Sequence, residues 1–175
     1  TNESVLGLAH RPDSIVLIGG GFISLEYAHF FSAMGVKVKL IDRNPALLPL
    51  GEPEISRLVK QELEKRIELH LGVEIMEIQR GGNGYTVLVK DAGTGRGKRI
   101  SASHVMVNAG RKSNADLLKT KNAGIETDKA GFIKVDKHLR TNKKHIWALG
   151  DAIGRKMFTH AGDKELTLAS GEQLY

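Results

Sequence analysis

Residues 14–42, SIVLIGGGFISLEYAHFFSAMGVKVKLID, decide the fold of this 175-residue chain. Ser14–Ile18 is a short apolar run that predicts a strand, and Gly19-Gly20-Gly21 follows it directly. A helix is predicted next, up to Gly35, because apolar residues recur at three- and four-residue spacing: Ile23, Tyr27, Phe30, Phe31 and Met34. Val36–Ile41 then predicts a second strand that ends at Asp42, so the stretch indicates a β-α-β unit.

The residues after Asp42 first continue this pattern and then change it. A helix that begins at Pro53 is predicted to bury one apolar stripe, made of Ile55, Leu58, Val59 and Leu63. Four strands between glycine-rich turns are predicted next, at Ile67–Leu71, Val73–Gln79, Tyr85–Lys90 and His104–Asn108. They indicate a β-meander inserted into the α/β unit. Later predictions are a helical turn at Ala115–Leu118, strands at Phe132–Val135 and His145–Leu149, and a helix from about Thr159.

Composition restricts the class of protein. With 41% hydrophobic residues and no cysteine, the chain is neither a disordered segment nor a disulfide-stapled mini-protein. No apolar run approaches the roughly 18–20 residues that span a bilayer, and the first ten residues lack the layout of a signal peptide. We therefore expect a soluble, cytoplasmic protein with no membrane partner. The seven histidines lack the spacing of metal ligands, so no metal site is predicted.

The net charge of +6 has a regional origin. Residues 111–144 hold ten Lys or Arg and four Asp or Glu, which accounts for the whole excess of positive charge. Only Phe132 interleaves an aromatic ring with these charges, and no nucleic-acid-binding motif accompanies them. We therefore expect a solvated or partner-facing surface here and no nucleic-acid binding.

The glycine run fits a dinucleotide-binding fingerprint. Gly19-Gly20-Gly21-Phe22-Ile23-Ser24 matches G-x-G-x-x-G with serine in the last place, between a strand and a helix, and Asp42 follows 23 residues after Gly19. Gly19 permits a tight turn, and Gly21 lets a pyrophosphate approach the N–H groups and the positive end of the helix dipole. Ser24 is small, so it is expected to shift the helix–strand packing without abolishing it. The alternative is a glycine-rich turn without a ligand.

Asp42 indicates which dinucleotide would bind. Its carboxylate can accept hydrogen bonds from the ribose hydroxyls of NAD and would repel the extra phosphate of NADP. Arg43 and Asn44 complicate this preference, because an arginine just past the strand can instead hold that phosphate. Asp42 can also be only a turn residue at the strand end. Among these alternatives we favour NAD.

Three motifs together resemble the FAD-dependent pyridine nucleotide–disulfide oxidoreductases, a family that includes lipoamide dehydrogenase and mercuric reductase. They are Gly19–Glu26 (GGGFISLE), Asn108–Asn114 (NAGRKSN, similar to the family's A-x-G-R-x-P-N) and Thr141–Asp151 (TNKKHIWALGD). In that family the first motif binds NAD(P), the second ends the NAD domain and the third belongs to the second FAD-binding segment. The resemblance covers nearly the whole chain, with Ser24 and Ser113 in place of the usual Gly or Ala and Pro.

The resemblance implies roles for individual residues. Phe22 would gate the nicotinamide pocket, and Glu26 would contact the carboxamide and pair with a lysine from a preceding segment. Ile75 and Gly110 would lie near the adenosine and nicotinamide halves, and Asp151 would hydrogen-bond the ribityl chain of FAD. Further residues along FAD would be Met157, Phe158, Thr159 and His160. On residue chemistry alone, Glu26 can also be an exposed helix acid and His160 a capping or surface histidine.

The predicted fold class is α/β, a Rossmann-like parallel sheet in a three-layer ββα-type arrangement with an inserted β-meander, followed by part of an FAD-binding domain. We assign residues 1–13 to a linker with a helical turn at Ser4–Ala9, residues 14–116 to the NAD(P)-binding domain and residues 117–175 to the second FAD segment.

The resemblance also indicates what these residues lack. The family's first FAD fingerprint, its cysteine pair and its carboxy-terminal histidine base have no counterpart here. We therefore expect a piece of a homodimeric flavoenzyme that binds NAD(H), needs a preceding segment to bind FAD, and holds no catalytic residue beyond an auxiliary Glu26. The piece alone should be inactive. The alternative is a stand-alone dinucleotide-binding regulatory module whose basic face docks a partner.

Overall fold

The structure, a computed structural model, describes residue 1 and residues 3–171. The predicted linker and FAD segment also include residue 2 and residues 172–175, which lie outside the described residues. The chain divides into two compact units, Thr1–Gly110 and Arg111–Tyr175, called here the first and the second unit. The assignment of residues 14–116 and 117–175 to NAD and FAD domains stays a prediction.

The first unit contains two helices and seven strands after a 3₁₀ turn at Ser4–Gly7. In chain order they are β1 (Ser14–Ile18), α1 (Phe22–Ala33), β2 (Lys37–Asp42), α2 (Pro53–Leu63), β3 (Glu68–Leu71), β4 (Val73–Gly81), β5 (Gly84–Asp91), β6 (Gly97–Ala102) and β7 (His104–Val107). Gly35 follows α1 with a φ of +76°, as expected for the residue that ends a helix. The β-α-β-α order predicted from the sequence is confirmed.

Two sheets build the first unit. A parallel sheet has the order β3-β2-β1-β7, and an antiparallel sheet has the order β4-β5-β6. In the parallel sheet, Ile15 of β1 is in register with Val38 on one side and His104 on the other. The mixed α/β fold class, with a parallel sheet and an inserted antiparallel meander, is therefore confirmed.

The alternation of side chains along β1 produces the layers. Ile15 and Leu17 pack with residues of both helices, including Phe31 of α1 and Leu63 of α2. Val16 and Ile18 point to the opposite face, as the two-residue period of a strand requires, and pack with residues of β5 and β6: Val87, Val89, Ile100 and Ala102. Helices, parallel sheet and antiparallel sheet are thus stacked in that order, with an apolar core on each face of β1.

The meander differs from the prediction in its membership. The predicted strands at Ile67–Leu71 and His104–Asn108 both belong to the parallel sheet, where β3 pairs with β2 and β7 pairs with β1. The third strand of the meander is β6, which the sequence analysis missed. Only Ile100 and Ala102 of its six residues are buried, so the strand carries a weak apolar signal.

The predicted buried stripe of α2 is wrong in its first half. Leu63 is buried and Val59 is half-buried, but Ile55 and Leu58 are 51% and 55% exposed. The periodicity of a helix identifies its apolar face, whereas burial also requires an element that covers this face. Ser56 in the first turn of α2 is only 7% exposed, so the buried face of the helix contains Ser56 and Leu63, and Ile55 and Leu58 lie off this face.

The described residues of the second unit, 111–171, contain two 3₁₀ turns, Thr120–Ala123 and Gly150–Ile153, and one α-helix, α3 (Thr159–Ser170). The predicted closing helix is confirmed. The predicted strands at Phe132–Val135 and His145–Leu149 are wrong, because the described residues of this unit form only single bridges, Thr127–Ile133 and Arg140–Trp147. At Ala115–Leu118, where a helical turn was predicted, the backbone forms separate hydrogen-bonded turns, from Leu117 N to Asn114 O and from Lys119 N to Asp116 O, that do not join into a helix.

Side chains that bond to the backbone explain why strands are absent from the described part of the second unit. Asp128 Oδ1 accepts hydrogen bonds from Ala130 N and Phe132 N, both at 2.9 Å. Such local bonds offer the backbone an alternative to a strand ladder. A small core lies beneath these loops and consists of Ala115, Ile133, Leu139, Ala148 and Ile153.

Candidate functional site

The loop Gly19–Gly21 joins β1 to α1, and each glycine meets a different requirement. Gly19 has a φ of +109°, and a Cβ there would lie 2.6 Å from the carbonyl oxygen of Asn108. A Cβ on Gly20 would lie 3.1 Å from Asp42 Oδ2. A Cβ on Gly21 would meet no atom within 4 Å. Packing therefore requires the first two glycines, whereas the third borders open space.

That open space adjoins the N-terminus of α1. Gly21 is the N-cap residue in an extended conformation, and no side chain of the described residues caps this end. The Gly21 carbonyl accepts the first helical hydrogen bond, from Leu25 N at 3.2 Å. The N–H groups of the first turn carry the positive end of the helix dipole, which suits an anion. Phe22, the first helical residue, is 54% exposed at this position.

Ser24 connects α1 to the end of β7. The side chain is fully buried, and its Oγ accepts a hydrogen bond from Asn108 Nδ2 at 3.1 Å. The main chain of Asn108 also donates to Ile18 O at 2.8 Å. Serine in place of the third glycine thus adds a polar bond between helix and sheet. A packing change was predicted at Ser24, but Asn108 was not predicted as its partner.

Asp42 lies against the glycine loop at the end of β2 and is only 9% exposed. Its Oδ2 accepts a hydrogen bond from Gly20 N. Its Oδ1 accepts two from Asn44, one from the main-chain N at 2.6 Å and one from Nδ2 at 2.8 Å. The structure therefore brings a buried carboxylate and the fingerprint loop together. Asn44 was named with Arg43 as a complication of the NAD preference, but its hydrogen bonds to Asp42 were not predicted.

The remaining predicted residues of the first unit lie at its surface or in its core. Arg43 and Glu26 are exposed, and neither forms an ion pair or hydrogen bond with the described residues. Ile75 is half-buried against the core between the sheets, next to a register shift in β4. Gly110 has a φ of +129°, and a Cβ on it would meet no atom within 4 Å. These positions do not by themselves assign a ligand contact.

In the second unit, Asp151 lines an open cavity of about 170 Å³ together with Arg111, Asn114, Phe132 and Met157. The guanidinium of Arg111 forms an ion pair with Asp151. The neighbouring Gly150 N donates to Glu165 Oε2 of α3 at 2.6 Å, which ties the turn to the helix. Exposed residues at the start of α3 complete the predicted set: Phe158, Thr159 and His160. Arg111 and Glu165 were not predicted, because their partners are distant in sequence.

Ser113, the second departure from the family pattern, also has a local role. It is buried, and its Oγ accepts a hydrogen bond from Ala115 N at 3.1 Å. A hydroxyl-stabilised turn therefore stands where the family has a proline-containing turn.

A titratable cluster lies outside these sites, at the edge of β3. Burial lowers the pKa of His70, and the charge of Lys98 lowers it further, while Glu68 acts in the opposite direction. His70 Nε2 lies 2.8 Å from Glu68 Oε1, and Nδ1 lies 3.4 Å from Lys98 Nζ. The described residues contain no group of three His, Cys, Asp or Glu side chains that could hold a metal ion. They also contain no helix of sufficient length and apolarity to cross a membrane.

Comparison with known proteins gives consistent results. Residues 1–165 match the family model of the pyridine nucleotide-disulphide oxidoreductases. The chain is 32% identical over 164 residues to dihydrolipoyl dehydrogenase of Haemophilus influenzae, covering 94% of the chain and 34% of that protein. It is 33% identical over 165 residues to mycothione reductase of Mycobacterium tuberculosis, covering 94% and 35%.

A solved structure has the same fold. A copper(II) complex of a variant of the HOCl-induced flavoprotein disulfide reductase RclA from Escherichia coli superposes with a TM-score of 0.87 at 25% identity, covering 95% of this chain and 37% of that one. The chain therefore spans about a third of the length of the proteins it matches. None of these matches supports the alternative of a stand-alone regulatory module.

Proposed function

The chain belongs to the pyridine nucleotide-disulphide oxidoreductase family, and from this premise we propose that its first unit binds NAD(H) at the Gly19–Gly21 loop and Asp42. The observation that carries the proposal is the contact between Gly20 N and the Asp42 carboxylate. It fixes a buried negative charge beside an uncapped helix N-terminus. One ligand that suits both features is a dinucleotide with a pyrophosphate and an unphosphorylated ribose.

The residues of the loop fit such a ligand in shape and charge. The open space at Gly21 would admit a pyrophosphate, and the N–H groups of the first turn of α1 would stabilise its charge. Asp42 would accept hydrogen bonds from ribose hydroxyls. The same carboxylate would repel a ribose phosphate, which favours NAD over NADP despite the exposed Arg43 beside it.

We propose that the second unit contributes to an FAD site. Asp151 would hydrogen-bond the ribityl chain, and residues 157–160 would line the cofactor at the start of α3. The cavity at Asp151, at about 170 Å³, is smaller than the roughly 300–1,000 Å³ of a typical ligand pocket. These residues would therefore hold only part of FAD, the rest being held by a segment of the full-length protein.

In the full-length protein, bound FAD would supply hydride exchange with the nicotinamide of NAD(H) and electron exchange with a redox disulfide, as in a dihydrolipoamide dehydrogenase. The role of this chain would be to bind and orient the two cofactors. Glu26 is the one side chain proposed to assist at the nicotinamide. We further propose a homodimer in the cytoplasm for the full-length enzyme, and no turnover for these 175 residues alone.

Calorimetric titration of the 175-residue chain with NADH and then with NADPH tests the proposal. We expect one binding site and an affinity for NADH at least about tenfold higher than for NADPH, equivalent to about 1.4 kcal/mol. The purified chain should show little flavin absorbance and no NADH oxidation with an artificial electron acceptor. Absence of NADH binding, or a preference for NADPH, would refute the cofactor assignment.

A further inference from the structure

Asn44 forms two hydrogen bonds that orient the Asp42 carboxylate. Its main-chain N and its Nδ2 both donate to Asp42 Oδ1, at 2.6 and 2.8 Å. Its own carbonyl oxygen accepts a hydrogen bond from Gly72 N at 2.9 Å. The backbone of Asn44 is thus anchored through its own N and O atoms. The side-chain amide forms a separate contact with Asp42, which a substitution of Asn44 removes.

The two oxygens of Asp42 differ in their remaining capacity. Each carboxylate oxygen offers about two acceptor sites. Both sites of Oδ1 are used by Asn44, whereas Oδ2 receives one donor, Gly20 N. The open acceptor site therefore lies on the oxygen beside the glycine loop. With Asp42 only 9% exposed, the carboxylate has little freedom to rearrange.

We propose that Asn44 is the residue that sets the nucleotide preference of this site, by holding the Asp42 carboxylate with its free acceptor position directed to the ribose. The inference rests on the proposed binding of NAD(H). Asn44 acts through Asp42 and is a positioning residue. Holding the carboxylate in one orientation raises the affinity for NADH, whose ribose hydroxyls would donate to it. It does not raise the affinity for NADPH, whose ribose phosphate the carboxylate repels.

Removal of the amide should therefore affect NADH and NADPH differently. In Asn44→Ala one of the two donors to Oδ1 is lost, while Asn44 N and Gly20 N still bond to the carboxylate. The carboxylate is then held less closely in the orientation that accepts from ribose hydroxyls. The negative charge of Asp42 stays in place beside the exposed Arg43, so the repulsion of a ribose phosphate is nearly unchanged. The preference for NADH should then decrease.

The test is calorimetric titration of the wild-type chain and Asn44→Ala with NADH and with NADPH. We expect the Kd for NADH to rise about tenfold, about the value of one hydrogen bond from a ribose hydroxyl to the carboxylate, and the Kd for NADPH to change by less than about twofold. The NADH-to-NADPH preference should therefore fall about fivefold or more. Asn83→Ala, the same truncation at an exposed residue of the turn between β4 and β5, is the matched control and should leave both constants unchanged.

The outcomes separate the two levels of the proposal. If the wild-type chain binds no NADH, the proposed function fails and the role of Asn44 fails with it. If the wild-type chain prefers NADH but Asn44→Ala weakens both nucleotides equally, only the role of Asn44 is refuted, because equal weakening indicates a general loosening of the loop. Thermal unfolding of both variants monitors such loosening. Asn44→Ser, which keeps a hydroxyl donor, should give a preference between those of the wild type and Asn44→Ala.

Discussion

In the first unit strands pair backbone to backbone in two sheets, whereas in the described part of the second unit polar side chains such as Asp128 and Asp136 bond to the backbone of the loops. The first unit has two sheets with apolar cores on both faces of β1. The described part of the second unit has two single bridges and a small core beneath loops. The first unit should therefore be sensitive to changes in volume and backbone conformation, and the second to the loss of individual polar side chains.

The difference also applies to the two candidate sites. The glycine loop is held by main-chain contacts, including Gly19 N to Ile41 O at 2.8 Å and Leu48 N to Gly20 O at 3.0 Å. Asp151 is held through side chains, by its ion pair with Arg111 and by the bond from the adjacent Gly150 N to Glu165. A ligand site on main-chain contacts is defined before the ligand binds, whereas one on exposed side chains has more freedom to rearrange.

The largest effect is expected for Gly19→Ala in the first unit. A Cβ at this position would lie 2.6 Å from the carbonyl oxygen of Asn108, and the φ of +109° is unfavourable for alanine. Backbone strain of this kind together with the steric conflict should lower the free energy of unfolding by about 3 kcal/mol. Urea denaturation followed by circular dichroism measures the change. Gly21→Ala, two residues away in the same loop and facing open space, is the matched control and should cost less than about 1 kcal/mol.

The second prediction concerns a polar side chain of the second unit. Buried Thr141 accepts a hydrogen bond from Lys143 N at 3.0 Å, and its hydroxyl can donate to Ile146 O at 3.0 Å. Thr141→Val keeps the shape but leaves Lys143 N without its partner, while Ile146 O still accepts from Thr141 N at 2.9 Å, and the change should cost about 2 kcal/mol. Thr127→Val, where no side-chain bond is made, should change stability by less than about 0.5 kcal/mol. Equal effects in the two variants would contradict the polar-side-chain account of this unit.

The third prediction is a pH dependence located in the first unit. Burial and Lys98 lower the pKa of His70 below its ordinary value of 6.5, against the opposing effect of Glu68 and with a smaller contribution from Lys39. Below about pH 6.5 the unfolded chain therefore binds a proton that the folded chain resists, and stability falls as the pH falls. His70→Gln should lose less stability than the wild type between pH 7.5 and 5.5 in urea titrations. Identical losses would refute the assignment to His70.

The smallest effect is expected at Asp136 in the second unit. Hydrogen bonds from the main-chain N of Arg140 and of His138 to Oδ1 lower the pKa of this carboxyl below its ordinary 3.8. The contribution to stability is present above that value and is lost as the pH falls through the lowered pKa. Between pH 5 and 3, the wild type should lose slightly more stability than Asp136→Asn. A larger acid loss in the variant would contradict the assignment.

The same difference explains which elements could be predicted from the sequence. Strand β1 is a short continuous apolar run, α1 has apolar residues at three- and four-residue spacing, and the glycines between them identify the loop. Periodicity was insufficient where burial depends on other elements, as for Ile55 and Leu58 of α2. Periodicity also predicted β7 as a strand without showing to which sheet it belongs, because the pairing of Ile15 with His104 joins residues far apart in sequence.

In the second unit, apolar runs at Phe132–Val135 and His145–Leu149 were interpreted as strands, but Asp128, Asp136 and Thr141 direct the backbone into turns. The partners Asn44, Asn108 and Glu165 share a different property. Each is an ordinary polar residue whose role depends on a specific contact, to Asp42, Ser24 and Gly150 respectively. Motifs identify the residues of a candidate site that are unusual in sequence, whereas the residues that orient them require coordinates.

Titration of Gly21→Val with NADH, alongside the wild-type chain, tests the central claim most directly. A side chain at Gly21 would project into open space, so the variant should unfold at nearly the wild-type temperature and yet lose detectable NADH binding, because the space for the pyrophosphate is filled. NADH binding by folded Gly21→Val with wild-type affinity would contradict the assignment of this loop as the dinucleotide site.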